Sequence, residues 1–308
     1  IEPYDNLKMP DNIVEEEVKI GWSYPLSGTL TQPKDKEADT VIILVQGFSA
    51  ADRNESVGAL KPFRDIAWGL AQKGVAVYRF DKRTYAYADK TAQQDNLTVD
   101  DEIINDVINA YNKMHSMGFD NIYIAGHSFG GYLMGRISGE LAWADGYIIM
   151  AGNVTPIQDL IVNQTKYLAL LDGKISDTEQ AQIGAAQKQS DNINALNSKN
   201  TKNYTKSDLL DTPASYWLDL KGYDPIESIK KCRGKLLILQ GAKDYQVTTD
   251  EYAKWQSGLE EKENVTYILY DKLNHLFMTS KVMSSDDYAD IGYVDQSVIN
   301  DIYSFVSK

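Results

Sequence analysis

A serine at the centre of Gly126-His127-Ser128-Phe129-Gly130 could act as a nucleophile. It needs a base to take its proton, a third group to orient that base, and donors for the charge that builds on the attacked carbonyl oxygen. The chain has 3 histidines, so the base can be sought by elimination. His127 lies inside the turn, and its side chain should point away from that of Ser128. His115 falls late in an amphipathic helical segment. His275, in YDKLNHLFM just past an apolar run, remains as the base. Asp244 follows the apolar run LLILQG in a Gly-x-x-Asp turn and is the expected orienting carboxylate. Asp250 and Asp271 compete with it, although Asp250 looks like the opening of a helix and Asp271 stands only four residues before His275. The backbone N–H groups of Phe129, directly after the serine, and of Phe48, behind Gly47, are the expected oxyanion donors. Such a set would transfer an acyl group through a covalent acyl-serine.

These residues need elements that hold them. IYIAGHSFGGYLMGR reads as a strand, a sharp turn flanked by glycines, and a helix, which would push Ser128 into an unfavourable backbone conformation and aim its hydroxyl outward. TVIILVQG (40–47), VAVYRFD (75–81), NIYIAG (121–126), GYIIMAG (146–152), KLLILQG (235–241) and NVTYILY (264–270) are short apolar runs of the kind that form buried parallel strands. Between them run helical segments over 57–74, 98–118 and 129–141, followed later by 249–260 and 295–306. Gly74 suits a helix C-terminus, and Thr98 with Asp101 and Ser176 with Glu179 stand in capping-box register. Residues 14–22 and 26–33, joined through Tyr24-Pro25, look like antiparallel edge strands. From Asn153 to about Tyr223 no strand is readable, and the pattern is polar and helical. The expectation is an α/β fold, a mostly parallel sheet flanked by helices. It divides into a core from 1 to 152, a helical insertion from 153 to 224 over the carboxyl edge of the sheet, and a core segment from 225 to 308.

Composition limits the alternatives. The 308 residues, 43% hydrophobic, suit one large domain with an insertion. A net charge of −13 argues against nucleic acid and anionic membrane surfaces as partners. The single cysteine, Cys232, cannot form an internal disulfide, and no Cys/His spacing suggests zinc or another metal. No apolar run reaches the ~20 residues of a spanning helix. The chain is expected to be soluble, either cytoplasmic or exported with its leader removed, since it begins at Ile1 without a signal peptide. Oligomeric state is not readable.

The order serine, acid, histidine along the chain, with the glycine-flanked serine, resembles the α/β-hydrolases. QGFSAADRNE, FDKRTYAY, LTVDDEIINDV, PASYWLDLKGYDP, LILQGAKDYQVT and LNHLFM resemble a bacterial esterase group within that fold. This group is related to cinnamoyl and feruloyl esterases and to prolyl-oligopeptidase-like and serine-aminopeptidase-like hydrolases. The resemblance covers nearly the whole chain. It implies a helical lid after the sixth strand, a Ser128/Asp244/His275 triad, oxyanion donors at Phe48 and Phe129, a small-molecule ester substrate and no cofactor. The chain departs from the fold's common pattern at Gln46, where histidine is usual. Gln46, Asp52, Arg53, Tyr216 and Trp217 are candidates for binding substrate. For Asp52 and Arg53 the alternative is bracing the loop, and for the two aromatics it is core packing. A peptidase or amidase with the same triad is the near rival, and a non-catalytic binding protein on this fold is the remote one.

Overall fold

The computed structural model describes residues 7–307, so the outermost residues of the two expected core segments, 1–6 and 308, lie outside the described residues. Eight strands form one sheet in the order β1-β2-β4-β3-β5-β6-β7-β8. They are β1 (Ile13–Ile20), β2 (Leu26–Pro33), β3 (Thr40–Val45), β4 (Ala76–Phe80), β5 (Asn121–His127), β6 (Gly146–Met150), β7 (Lys235–Gly241) and β8 (Val265–Tyr270). The β1–β2 and β2–β4 pairs are antiparallel, and all others are parallel.

The unbroken apolar runs follow from helices on both faces. In β3, Val41, Ile43 and Val45 enter one core while Ile42 and Leu44 enter the other. β7 divides in the same way, with Leu236 and Ile238 on one face and Leu237 and Leu239 on the other. When each face carries its own core, the period-2 alternation of a half-exposed strand has no reason to appear. The helices Pro62–Ala71 and Gln296–Val306 cover one face through Phe63, Ile66, Leu70, Val298, Ile299 and Ile302. The helix Asn105–Ser116 covers the other through Val107, Ala110, Tyr111 and Met114. The edge strand β1 keeps Glu15, Glu16, Glu17 and Lys19 exposed, a charged rim that discourages pairing with another sheet.

Several boundaries differ from the sequence reading, for local reasons. The segment from Val57 does not become helical until Pro62, because Val57 and Leu60 pair in a bridge first. The capping exchange between Thr98 and Asp101 forms, but the helix behind it begins with a π turn over Asp100–Ile104. The expected helix 129–141 is two short helices, Phe129–Tyr132 and Met134–Glu140, that meet at Leu133. Thr248, and not Asp250, is the cap of the helix Thr249–Gly258.

Between β6 and β7 the described residues form helices Ile157–Ala169, Asp177–Ala195 and Ala214–Leu220. Ser176 and Glu179 make the reciprocal capping bonds at the start of the longest. This segment does not float free. Ile157, Leu160, Ile193, Leu209, Tyr216 and Trp217 join the core that holds Val45 and Phe129. No helix of the described residues is long and apolar enough to cross a membrane.

Candidate active site

Ser128 stands at the junction of β5 and the helix Phe129–Tyr132, with φ 53° and ψ −117°. A non-glycine residue holds such a conformation at a cost of about 1–3 kcal/mol, and only where the surroundings leave no alternative. Here the surroundings are backbone. A Cβ on Gly126 would come within 2.4 Å of the Gly130 carbonyl carbon, and one on Gly130 within 2.6 Å of the Val45 carbonyl oxygen. The Ser128 N–H donates to the Met150 carbonyl at 2.9 Å. The turn is therefore clamped between β3, β5 and β6, and the serine hydroxyl is left above the sheet edge.

His275 lies beyond β8, on a loop tied by its neighbour Asn274. The Asn274 side-chain oxygen accepts from the N–H groups of Leu276 (3.0 Å) and Met278 (3.1 Å). His275 Nδ1 donates to Asp244 Oδ2 at 2.6 Å, with both side chains almost fully buried. The other oxygen, Oδ1, accepts from the N–H groups of Gln246 (2.8 Å) and Val247 (2.9 Å). Gln240 reaches Oδ2 at 3.3 Å. The competing carboxylates Asp250 and Asp271 are exposed. With Nδ1 carrying the proton, Nε2 is the free nitrogen of the ring. His275 and Ser128 line one cavity of about 240 Å³, together with Phe48, Val57, Ile157, Ile161, Gln164 and Gln246.

The loop behind β3 passes close to Ser128. A Cβ on Gly47 would lie 3.3 Å from that of Ser128. Lys82 sets the peptide planes of this loop. Its ammonium is 2% exposed and donates to the carbonyls of Gly47 (2.8 Å), Phe48 (2.9 Å) and Ser49 (3.4 Å). In a trans peptide the N–H points opposite to the C=O, and the described chain has no cis bonds. Turning the Gly47 carbonyl toward Lys82 turns the Phe48 N–H away from it. Lys82 pairs in turn with Glu102 at 3.3 Å, and Glu102 accepts from Thr84 (2.8 Å) and from the Tyr216 hydroxyl (2.7 Å). Burial and the Glu102 carboxylate push the Tyr216 phenol well above its usual range, so it stays a donor.

The remaining candidates from the sequence have other uses. Gln46 is buried and spends its amide on the Phe80 and Asp52 carbonyls, which anchors the loop where histidine is common. Asp52 accepts from the N–H groups of Asn54 and Ser56 and from the Ser56 hydroxyl. Arg53 makes a two-pronged pair with Asp81, at 3.0 and 2.7 Å. These contacts tie both side chains to the loop and its neighbours. Trp217 is buried, donates to the Leu209 carbonyl at 2.9 Å, and supports the back of the Phe48 ring at 5.9 Å. Tyr216 and Trp217 therefore sit behind the loop and not in the Ser128 cavity. Tyr216 instead helps line a neighbouring space of about 370 Å³ with Thr84, Leu97 and Pro213.

Three residues at the site escaped the sequence reading: Glu102, Glu55 and the side chain of His127. Glu55 Oε1 accepts from the Gly47 N–H at 2.7 Å, and Oε2 lies 2.9 Å from His127 Nδ1. His127 Nε2 donates to the His275 carbonyl at 2.8 Å. Burial lowers the affinity of His127 for its proton, but the Glu55 carboxylate more than offsets this and holds the imidazole above its usual range. Charged residues inside acidic or mixed loops look solvated in sequence, and only folding shows that these are buried.

A mostly parallel sheet with a strained serine turn at its centre and a histidine–aspartate pair at its carboxyl edge is an α/β-hydrolase. The chain matches the family described as serine aminopeptidase, S33, over residues 37–281, and it belongs to that family. Esterase EstD of Thermotoga maritima is 31% identical over 302 residues, covering 97% of this chain and 69% of EstD. In fold, the chain is similar to Est1E from Butyrivibrio proteoclasticus, with TM-score 0.60 at 16% identity over 95% of this chain and 99% of the other. It is similar also to the Pyrococcus furiosus esterase Pf2001, with TM-score 0.58 at 13% identity over 96% and 91%. An acylaminoacyl peptidase from Pyrococcus horikoshii shares the fold at TM-score 0.56 and 14% identity, over 97% of this chain and 42% of that one.

Proposed function

We propose that the chain hydrolyses carboxylic esters through an acyl intermediate on Ser128. The observation that carries this reading is one cavity bounded by Ser128, by His275 with its Nδ1 bound to Asp244, and by the Gly47–Phe48 peptide. His275 takes the hydroxyl proton through Nε2, and Ser128 Oγ attacks the ester carbonyl carbon. The N–H groups of Phe48 and Phe129 receive the oxyanion. The tetrahedral adduct collapses, and the alkoxide leaves with the proton from His275. A water, deprotonated by His275, then releases the acid and restores the serine. Asp244 holds the tautomer and stabilises the imidazolium in both halves. The segment 153–224 acts as a lid, since Ile157, Ile161 and Gln164 from it reach the cavity.

Substrate chemistry follows from the lining. Val57, Ile157, Ile161 and Leu276 are apolar, and Gln164 and Gln246 supply neutral amides. This suits a neutral acyl group of short to medium length, and it is compatible with a hydroxycinnamoyl group; Est1E has been seen with ferulic acid bound. The family's description favours weighing an aminopeptidase as well. An aminopeptidase needs an uncommitted carboxylate for the substrate ammonium. Among the described residues the only carboxylate lining this cavity is Glu55; its Oε1 accepts from the Gly47 N–H, and its buried Oε2 lies 2.9 Å from His127 Nδ1, whose charge it would have to give up. That favours the ester.

Labelling with a fluorophosphonate probe tests the nucleophile. The expected result is one adduct on Ser128, absent from S128A; no labelling of folded protein refutes the serine mechanism. A panel of p-nitrophenyl esters, feruloyl esters and aminoacyl anilides then separates the readings, with turnover expected for the esters and anilides left intact.

A further inference from the structure

The mechanism above makes no use of the buried pair Glu55 and His127, and the pair touches all three loops that must cooperate. Glu55 holds the Gly47 N–H of the oxyanion loop at 2.7 Å. His127 is the residue before the nucleophile, and it holds the backbone carbonyl of His275 at 2.8 Å. Glu55 and His127 meet at 2.9 Å and are 8% and 5% exposed. Glu55 adopts φ 51°, a left-handed conformation that glutamate does not choose freely. Strain of this kind persists where the surroundings hold it, often at functional sites.

We propose that Glu55 and His127 form a positioning pair, carboxylate with imidazolium, that locks the oxyanion loop and the general base to the nucleophile turn and thereby raises kcat. The inference rests on the esterase reading of Ser128. Its charge state follows from its partners. His127 Nε2 donates to the His275 carbonyl, and Nδ1 lies at ion-pair distance from Glu55 Oε2 without an aligned hydrogen bond, so the charge of an imidazolium, and not hydrogen-bond geometry, holds the Glu55 side of the pair. The titratable groups facing His127 are Glu55 from the oxyanion loop, His275 from the loop after β8 and Asp244 from the loop after β7. The aromatic rings of Phe63 and Phe277 close the remaining sides. Glu55 and Asp244 favour the charged imidazole. Loss of the His127 proton at high pH would set two acceptors against each other and release one of the two contacts. The pair therefore predicts an alkaline fall in kcat that does not come from the triad.

The test uses two variants of the full chain. E55A removes the acceptor of the Gly47 N–H and the partner of His127. Small misplacement of reacting groups costs about 10²-fold, and kcat is expected to fall about 10- to 100-fold with KM within about twofold. E55Q keeps the Gly47 contact through its oxygen and sets a neutral amide, in place of the carboxylate, beside a neutral His127 that still donates to His275. It is expected to recover most of the kcat lost in E55A and to abolish the alkaline fall seen in the wild type. Wild-type kcat in folded E55A, an alkaline limb unchanged in E55Q, or E55Q no better than E55A would each overturn the proposal. Wild-type protein that takes no fluorophosphonate label defeats the esterase reading itself, whereas labelled wild type with unaltered Glu55 variants defeats this inference alone.

Discussion

Replacing Lys82 by methionine keeps the aliphatic stem and removes the ammonium that orients the Gly47–Ser49 loop, the proposed oxyanion loop. Three carbonyls lose their common donor, at 2.8, 2.9 and 3.4 Å. The Gly47–Phe48 peptide is then free to rotate, and Phe48 ceases to be a fixed oxyanion donor. Losing one such donor costs about 10²–10³ in kcat, or about 2.7–4 kcal/mol of transition-state stabilisation. The same change strands the Glu102 carboxylate, 5% exposed and left with Thr84 and Tyr216 as donors. Breaking one side of a buried ion pair costs about 3–5 kcal/mol. A drop in activity alone would therefore be ambiguous. The double variant K82M/E102Q separates the two effects, because it removes the stranded charge without restoring the donor to the loop. The assay is kcat and KM on a short p-nitrophenyl ester beside Tm for wild type, K82M, E102Q and the double variant. K82M is expected to lose both kcat and Tm. The double variant is expected to regain most of the Tm while kcat stays about 10²-fold down. Recovery of kcat in step with Tm would refute the claim that Lys82 sets the oxyanion peptide.

Other substitutions probe other links. S128G should abolish ester turnover while raising stability by about 1 kcal/mol, since glycine accepts the φ of 53° that serine holds under strain; chemical denaturation measures it. D244N should lower kcat by about 10⁴-fold with little change in KM, because the amide no longer enforces the Nδ1–H tautomer of His275. I161W should fill the cavity and raise KM for long acyl esters well above that for acetyl esters, in a chain-length series. Glu251 accepts from Val154 N–H, Thr155 N–H and the Thr155 hydroxyl and pairs with Lys254. Burial pushes its carboxyl up, but those donors outweigh burial and hold it below the usual carboxylate range. The stability it contributes is present above the unfolded carboxylate range and is lost as pH falls through the lower folded value. Tm of E251Q should therefore approach that of wild type as the solution is acidified and fall below it at neutral pH.

The triad order, the serine turn and the parallel strands were legible because each has a local signature. Gly126 is forced by the backbone of Gly130 four residues on, and the apolar runs of β3 and β7 report burial on both faces directly. The helical insertion was legible as a break in that rhythm. What was not legible is how charged residues from separate segments meet. Lys82 reaches Gly47 across 35 residues of chain, and Glu102 meets Tyr216 across 114. For Asp52 and Arg53 the sequence leans toward bracing the loop but does not name the partners, which are Ser56 for Asp52 and Asp81 for Arg53.

The sequence by itself determined that this is a hydrolase fold and which serine, acid and histidine it brings to the sheet edge. One histidine in a workable position, after a strand and late in the chain, left little choice. Only the tertiary structure decided how the loop behind β3 is held, that Glu55 and His127 stand between it and the His275 loop, and that Tyr216 and Trp217 stand behind it. The physical reason is that a charge costs little in water and much in a core. Whether Lys82, Glu102 and Glu55 are solvated side chains or buried struts depends on what the fold packs around them, and no local pattern of residues records that.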